Sequence, residues 1–591
     1  MPADDLYKLS DGRPVTSLTP FSSPIDEYRA AFAERSSVFL RYHSFEGGQE
    51  SVRTLTRGEF WDLASGLAEY LKKLKLNRGT RIVHCFSSNT VSDAVFRLAE
   101  VLVGCSTVTI NWQVDTDDTI IYKTQLTGAR VLVYDALSQQ RIPAVRSELK
   151  DVMFVNADDM RIENPSDPSF ATSTYDDERL VVFTSGTTGR PKGVSLSHRS
   201  YLTNRLTFES YFGMSPETKL DLVLVNPLHH TNSSALLDWG TRRSDTVVHL
   251  LQLYTTPYWM ILTQVAREKR DLLVAPLVSR HFDFLDSLAS QSRLPVPEDE
   301  LVAALQQVDF LMGSAPVGPT TVKRVLRFSH HLPHVRFGST ETCLEIMATP
   351  AAMSDEALMA AHEAGWEHRY EGETSSGYYI GRAHQPFTRV KIVKSIDPGS
   401  ADYFRMCDLG EAGYFVTQGP NVMAGYVGDD TATQEVFKEG WYVGLRDIGF
   451  ALCNRGDGEL DYYWLSRDSA LIIRGGANYA YEQIADELSR FLVNEFHLRR
   501  EQFQLAVVGL KVGSEHEDSC CVTIELSHDA ADIQPLLENL FIEKAQKSVS
   551  KGSRPDYVRF APIPRNFKGA ILNNELKQEF VKSLSDKRIY L

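Results

Sequence analysis

Residues 180 to 193 read Leu-Val-Val-Phe-Thr-Ser-Gly-Thr-Thr-Gly-Arg-Pro-Lys-Gly, four apolar side chains followed by a loop of hydroxyls, glycines and two cations. The apolar run predicts a buried strand, and the glycines let backbone N–H groups approach a polyanion. The stretch therefore has the character of a phosphate-binding loop. It lacks the GxxxxGK[ST] pattern, and no helix start follows, so a P-loop NTPase is rejected. From the residues alone, an ordinary Gly/Ser/Thr turn is the alternative.

Composition limits the classes of function. The 591 residues are 43% hydrophobic and 24% charged, which is typical of a globular protein with more than one folding unit. The net charge of -15 argues against nucleic acid as the main partner. Seven cysteines without a CxxC pair favour reduced thiols in an intracellular protein and argue against a zinc site.

Targeting signals and membrane spans are not expected. The acidic N-terminus lacks a following apolar segment, so we expect neither a secretory nor a transit peptide. We therefore expect a cytoplasmic protein. The longest uncharged stretch, residues 246–266, contains His249 and Pro257, and this proline would break a spanning helix. We therefore predict that this stretch is a buried core segment and that the chain has no membrane span.

Helical patterns alternate with short apolar runs, which predicts an α/β fold with layered sheets. A capping box of Thr56 and Glu59 begins a helix that continues to Leu74. Further along the chain, strands are predicted at 81–86, 106–110 and 129–134 and, near the C-terminus, a helix at 481–496 with strands at 505–510 and 520–526. This last segment predicts a small α+β unit.

The loop resembles the signature of the adenylate-forming superfamily, which includes acyl-CoA synthetases, peptide-synthetase adenylation domains and beetle luciferases. Other motifs similar to those of the superfamily follow in order, and they read Gly-Ser-Ala-Pro at 313–316, Phe-Gly-Ser-Thr-Glu at 337–341, Gly-Pro-Asn-Val-Met-Ala-Gly-Tyr at 419–426, Gly-Trp-Tyr at 440–442, Asp447 and Arg467. The resemblance extends from the early helix to about Leu576.

The resemblance implies ATP and Mg²⁺ as cofactors, a carboxylic acid as substrate, and CoA or a separate carrier protein as the acceptor. It implies a nucleotide site formed by Thr184, Ser185, Gly186, Thr187, Thr188, Gly189 and Lys192 at the phosphates, by Phe337, Gly338 and Ser314 near the adenine, by Thr340 at the α-phosphate, and by Asp447 and Arg467 at the ribose. Glu341 would hold Mg²⁺, and a pantetheine arm would pass Gly475 and Gly476.

The resemblance also implies a hinge after Arg467. The family has an Asp or Lys two positions after this arginine, where this chain has Ser469 with Asp468 beside it. We therefore expect a large AMP-binding body over residues 1–467 and a small mobile domain over residues 468–591.

Three further positions depart from the family pattern. Asp447 comes one residue later than usual, so the preceding loop differs. His230 would border the acyl and ATP pockets as a wall or gate, but Ser233 replaces the usual glycine, and a satisfied core histidine is the alternative. The lysine that should bridge the acid and the α-phosphate is replaced by Ala570, with Lys568 two residues earlier as the candidate for that catalytic role.

The resemblance favours an acyl-CoA synthetase, which adenylates an acid, releases pyrophosphate and transfers the acyl group to CoA. Two alternatives stay open: a freestanding ligase that loads a carrier protein or stops at acyl-AMP, and a catalytically impaired nucleotide-binding regulator. The sequence does not identify the acid. A helical pattern over 354–364, between Glu341 and Gly381, is either a lid or a surface insertion.

Overall fold

A computed structural model describes residues 4–46, 49–160, 170–184, 190–370, 373–374, 377–467, 471–474, 477–515, 517–565 and 571–586. Its sheets are built from the short apolar runs that alternate with helices along the sequence. Within these residues two large sheets and one small sheet organise the chain.

The first large sheet contains the strand that leads into the Gly-rich loop. Its described strands, in spatial order, are Gly425–Tyr426, Lys192–Ser197, Glu178–Thr184, Ser106–Thr109, Arg81–Cys85, Val131–Tyr134 and Met153–Asn156. The last five strands are mutually parallel, and the first two run antiparallel to their neighbours. Buried parallel strands are apolar on both faces, which explains the continuous apolar run at 180–183.

The second large sheet carries the other motifs. Its main path is Gln49–Thr56, Val38–Glu46, Thr246–Leu251, Leu220–Leu224, Leu272–Leu277, Asp309–Met312, His334–Phe337, Met347–Ala348, Tyr378–Ala383, Leu460–Arg467, Asp447–Cys453, Gly413–Gln418, Trp441–Tyr442 and Phe437–Lys438. Arg389–Val393 pairs with Gly413–Gln418 off this path. The strands are parallel from Val38–Glu46 to His334–Phe337 and antiparallel beyond. The motif at 337–341 therefore lies where the sheet changes from parallel to antiparallel pairing.

Helices cover both sheets and separate them. The α-helices are Pro24–Ala31, Arg57–Lys73, Val91–Val103, Asp117–Thr127, Ile142–Glu148, His198–Tyr211, Thr231–Thr241, Tyr258–Arg267, Ser279–Ser290, Glu298–Leu305, Pro319–Ser329, Asp355–Trp366, Asp430–Glu435, Tyr481–Phe496, Gln534–Ser548 and Asn573–Asp586. One apolar core joins the two large sheets through the helices between them, and separate cores lie on the outer face of each sheet. The body is thus layered helix, sheet, helix, sheet, helix, as the fold class predicts.

The C-terminal part has a core of its own. Its strands Phe503–Leu510, Ser519–Leu526 and Tyr557–Phe560 form a small sheet, covered by the last three helices. Two hairpins complete the strands, Leu471–Arg474 with Ala477–Ala480 and Arg369–Tyr370 with Glu373–Thr374. The predicted small α+β unit is therefore present, and the hinge predicted after Arg467 lies outside the described residues.

Local signals in the sequence were reliable. The capping box of Thr56 and Glu59 is formed and begins the helix Arg57–Lys73. Residues 246–266 are divided between a buried strand and a helix that starts immediately after Pro257, so this stretch is a core segment as predicted. Among the described residues, no helix has both the length and the apolar character needed to cross a bilayer.

The helix predicted at 354–364 spans Asp355–Trp366 and is capped by the Ser354 side chain. Its residues Leu358 and Ala361 belong to the core on the outer face of the second sheet. This packing favours a fixed surface insertion over a lid.

A buried ion network lies on the helix Thr231–Thr241. The Asp238 carboxylate pairs with Arg242 at 2.5 Å and with Arg179 at 3.2 Å, and it accepts a hydrogen bond of 2.5 Å from the Tyr28 hydroxyl. Burial by itself would raise the pKa of Asp238, but the two arginines outweigh it and the pKa is lowered. Asp238 is therefore a structural anion whose contribution to stability is present at neutral pH and lost as the pH falls through its folded pKa.

We expect Asp238→Asn to destabilise the body by about 3 to 5 kcal/mol, because the buried Arg179 loses its charged partner and the buried Arg242 keeps only its pair with Glu27. The measurement is the thermal unfolding midpoint of the body. Asp299→Asn, on an exposed position of the helix Glu298–Leu305, is the control and should leave the midpoint unchanged. Equal midpoints in the two variants would contradict the structural role of Asp238.

Candidate active site

The Gly-rich loop joins two antiparallel strands. Thr184 and Lys192 lie opposite each other at the end of this hairpin, while Ser185, Gly186, Thr187, Thr188 and Gly189 lie outside the described residues. A strand, Lys192–Ser197, follows the loop directly. A P-loop requires a helix there, so the rejection of a P-loop NTPase is confirmed.

The block 419–427 fastens Glu341 to this hairpin. The Met423 amide donates to the Glu341 carbonyl at 2.7 Å, and the Ala424 amide donates to the Ser195 carbonyl at 2.9 Å. The Asn421 amide group donates to two further carbonyls, those of Thr342 at 2.8 Å and Glu345 at 3.1 Å. One short segment thereby joins the motif at 337–341 in the second sheet to the phosphate hairpin in the first.

Three side chains converge where the sheets meet. The Tyr426 hydroxyl donates to the Glu341 carboxylate at 3.1 Å, and the Lys192 ammonium lies 5.0 Å from the centre of the Tyr426 ring. Tyr426 thus contacts the cation through its ring and the carboxylate through its hydroxyl. Burial, and then the charge of Glu341, raise the pKa of Tyr426, so its hydroxyl stays a proton donor.

The Glu341 carboxylate fits a magnesium ligand. It is half-buried and, within the described residues, is engaged only by the Tyr426 hydroxyl, which leaves oxygen lone pairs available. The described residues contain no group of three or more His, Cys, Asp or Glu that could hold a metal. A single carboxylate beside a phosphate site matches Mg²⁺, which is commonly held by one or two carboxylates together with substrate phosphates.

The proposed adenine position is defined by backbone shape and by an aromatic ring. Phe337 is half-buried, with its ring centre 5.6 Å from that of Phe415. A Cβ on Gly338 would lie 2.3 Å from the Leu344 carbonyl oxygen, so only glycine fits beside the ring. Ser314 is exposed with a left-handed backbone (φ +68°), and Thr340 follows on a short 3₁₀ turn.

The proposed ribose carboxylate is held by a residue that the sequence did not identify. Asp447 is 3% exposed, and the Trp464 indole N–H donates to it at 2.8 Å. Asp447 and Arg467 are paired in register on adjacent antiparallel strands. The altered spacing before Asp447 is absorbed by Arg446, whose backbone is left-handed (φ +52°).

His230 and its neighbour differ in their surroundings. Burial, together with the charge of Lys123, lowers the pKa of His230 to about 4, so the ring is neutral at pH 7. This agrees with a pocket wall rather than a base. His229 is buried, neither of its ring nitrogens has a hydrogen-bond partner within the described part of the chain, and its ring packs edge-on to Trp112 at 5.6 Å.

Several predicted site residues lie outside the described residues. They are Ser185–Gly189 of the loop, the hinge residue Asp468, Gly475 and Gly476 of the pantetheine path, and the candidate catalytic Lys568. Thr184, Lys192, Thr340, Glu341 and Tyr426 are described and belong to the motif segments that the block 419–427 joins. Trp464 was missed because a tryptophan in a strand carries no signal beyond core packing.

Comparison with known proteins identifies the family. A family model described as AMP-binding enzyme matches residues 30–427, which is more than half of the chain. The chain therefore belongs to the AMP-binding enzyme family. It is an enzyme of the adenylate-forming superfamily, in the class of AMP-forming acid–thiol ligases, and the resemblance drawn from its motifs is confirmed.

Individual relatives are distant but cover most of the chain. The long-chain-fatty-acid–CoA ligase FadD13 of Mycobacterium tuberculosis is 23% identical, with 93% of this chain and 97% of the relative aligned. Luciferin 4-monooxygenase of Photinus pyralis is 22% identical over 90% of each chain.

One solved relative is available in two states. The o-succinylbenzoate CoA synthetase of Bacillus subtilis, as a double mutant with a product analogue, gives a TM-score of 0.70 at 19% identity, covering 93% of this chain and 98% of that chain. Its complex with ATP and Mg²⁺ gives 0.58 at 19% identity, covering 94% and 98%. The fold class with a large body and a smaller C-terminal domain is thereby confirmed.

Removing the Tyr426 hydroxyl should misplace Glu341. We expect Tyr426→Phe to lower acid-dependent ATP–pyrophosphate exchange about 10-fold and to raise the Mg²⁺ concentration it needs, because a hydrogen bond to a charged group is lost. Glu341→Gln should abolish exchange. Tyr7→Phe is the matched control, since its hydroxyl donates to the Met423 carbonyl at 3.0 Å and not to Glu341. An unchanged Mg²⁺ requirement in Tyr426→Phe would remove Tyr426 from the site.

Proposed function

We propose that this enzyme activates a carboxylic acid with ATP, releases pyrophosphate, and transfers the acyl group to the thiol of CoA. The observation that carries the proposal is the convergence of Lys192, Tyr426 and Glu341 at the mouth of the Gly-rich hairpin. A cation and a metal-binding carboxylate that contact the same tyrosine suit a triphosphate. We further propose that the reaction takes place in the cytoplasm.

The first half-reaction joins two anions. A carboxylate oxygen of the acid attacks the α-phosphorus of ATP, and the bond from that phosphorus to the pyrophosphate oxygen breaks. Thr184 and Lys192 bind the departing phosphates, and Asp447 fixes the ribose, so positioning and charge neutralisation lower the barrier. Mg²⁺, when bound at Glu341, supplies further positive charge to the phosphates.

The second half-reaction transfers the acyl group. The CoA sulfur attacks the acyl carbon, the bond from that carbon to the AMP oxygen breaks, and the thiol proton is lost to solvent. His230, neutral at pH 7, serves as a wall that separates the acyl carbon from water. We propose that a rotation of residues after about Asp468 exchanges Lys568 for the loop containing Gly475 and Gly476 between the two steps.

The described arrangement of the two parts supports the second step. The Glu515 carboxylate accepts a hydrogen bond of 3.0 Å from the Thr321 amide, in the first turn of the helix Pro319–Ser329. Glu517 pairs with Arg280 at 2.7 Å. Glu515 thus caps a helix of the body, and we assign this arrangement to the second step.

Product analysis tests the acceptor. Incubation with ATP, a library of acids and CoA should yield AMP, pyrophosphate and an acyl-CoA thioester, detected by mass spectrometry. Acyl-AMP that persists in the presence of CoA would favour a ligase that loads a carrier protein or stops at acyl-AMP. ATP binding without any acid-dependent exchange would favour a nucleotide-binding regulator.

Lys568 should be needed for the first half-reaction only. We expect Lys568→Ala to reduce acid-dependent exchange strongly and to leave thioester formation from a supplied acyl adenylate almost intact. A two-residue offset from Ala570 spans up to about 7 Å of backbone, which a lysine stem beside a glycine can bridge. Lys577→Ala, whose ammonium lies 5.9 Å from the Tyr481 ring centre, is the control. Equal exchange in both variants would exclude Lys568.

The contacts between the small domain and the body should matter for the second half-reaction, the transfer of the acyl group to CoA. We expect the double variant Glu515→Ala, Arg280→Met to slow thioester formation from a supplied acyl adenylate about 10-fold while exchange is unchanged, because the proposed rotation would break the helix cap and the ion pair. Arg324→Met is the control, since Arg324 pairs with Asp283 and Asp286 of the body. A parallel loss of both half-reactions would contradict this assignment.

A further inference from the structure

A buried arginine with two unpaired nitrogens lies next to the motif at 337–341. Arg336 belongs to the strand His334–Phe337 and is 4% exposed, and its Nε and Nη2 atoms have no hydrogen-bond partner among the described residues. Burial lowers its pKa to about 10, against the opposing effect of Glu345, so it is still charged at pH 7. Native proteins pair such groups almost without exception, so the unpaired nitrogens require an explanation.

The Arg336 guanidinium lies at the turn implied to line the acid and adenine pockets. A Cβ on Gly313 would lie 3.1 Å from Arg336 Nη1, so the guanidinium runs along this glycine, immediately before Ser314. Arg336 is also the residue before Phe337. A side chain at Gly313 would displace Arg336, and a side chain at Gly338 would displace the backbone of Leu344 and Glu345.

An unpaired carboxylate lies in the same place. Glu345 is 2% exposed, and neither of its carboxylate oxygens accepts a hydrogen bond within the described part of the chain. Its Cα lies 2.8 Å from where a Cβ of Gly338 would be. His384 Nε2 lies 3.3 Å from the carboxylate, and Arg336 and Glu345 interact by charge without a direct ion pair between their described atoms.

The surrounding protein groups do not complete this pair. The nearby Tyr211 hydroxyl is engaged with His334 Nδ1 at 2.9 Å, and His384 contacts Glu345 without hydrogen-bond geometry. Leaving two buried charges unpaired costs several kcal/mol, whereas a bridging polar group would remove most of that cost. The missing group must accept from a guanidinium and donate to a carboxylate.

We propose that Arg336 and Glu345 recognise a hydroxyl group on the tail of the acid, so that the substrate is a hydroxylated carboxylic acid. A hydroxyl accepts one hydrogen bond and donates another, and it leaves the pair electrically neutral. A second carboxylate would add a negative charge beside Glu345, and an unsubstituted tail would leave both groups unpaired. This inference rests on the proposed function, since it specifies the acid that the same site activates.

Matched acids test this recognition. ATP–pyrophosphate exchange is measured with octanoate, its ω-hydroxy derivative and the dicarboxylate suberate, and with phenylpropionate, its para-hydroxy derivative and its para-carboxy derivative. In whichever of the octanoate and phenylpropionate series is exchanged faster, we expect kcat/KM for the hydroxylated acid to exceed that for the unsubstituted acid by about 100-fold. The reason is that an unsubstituted tail leaves buried polar groups unpaired. Preference for the unsubstituted acid or for the second carboxylate in both skeletons would overturn the proposal.

Variants assign the preference to the two residues. Arg336→Met and Glu345→Gln should each reduce the ratio of kcat/KM between the hydroxylated and the unsubstituted acid to a several-fold difference. The change should occur mainly in KM for the acid. Arg327→Met, on an ion-paired surface position, is the control and should retain the preference. If Arg336→Met does not fold, Glu345→Gln and Arg336→Lys carry the test, and an unchanged preference in both would overturn the assignment.

The readout separates this inference from the proposed function. Exchange with some acids but without a hydroxyl preference contradicts the role of Arg336 and Glu345 and leaves the enzyme's reaction intact. Absence of exchange with every acid contradicts the proposed function, and the substrate assignment falls with it.

Discussion

The hydrogen bond from the Met423 amide to the Glu341 carbonyl is the constraint on which the candidate site depends. The two large sheets carry separate parts of the site, and no strand pairing joins them among the residues that the structure describes. The segment 419–427 crosses between them, contacts Glu341 with one backbone group and pairs with the strand Lys192–Ser197 through the next residues. Glu341, Tyr426 and Lys192 are held together because one short segment is anchored at both ends.

The charges of the site are distributed in a way that suits the attack of one anion on another. The Lys192 ammonium lies over the face of the Tyr426 ring, and the Glu341 carboxylate accepts from the hydroxyl at the edge of the same ring. The Asp447 carboxylate accepts a hydrogen bond from the Trp464 indole N–H, which fixes its orientation. Preorganised groups of this kind are effective because they need little rearrangement during the reaction.

Sequence reasoning succeeded where a motif or a local pattern decides the structure. The helix after Thr56, the strands around residues 81–134 and the hairpin at Lys192 follow from capping, periodicity and the Gly-rich loop. It could not find Trp464, Arg336 or Glu345, because their roles arise from neighbours distant in the chain. Asp238 illustrates the same limit, since its partners Tyr28 and Arg179 come from other parts of the body.

The position of the strand Val38–Glu46 has a consequence for the synthesis of this protein. It pairs with Gln49–Thr56 on one side and with Thr246–Leu251 on the other, so an early hairpin becomes an interior part of a large sheet. On the ribosome its second edge must wait for roughly 200 further residues, or about 10 to 40 seconds at ~5–20 residues per second. During that interval a strand containing Leu40 and Tyr42 has an unpaired edge, which is the kind of surface that chaperones bind and that aggregates form through.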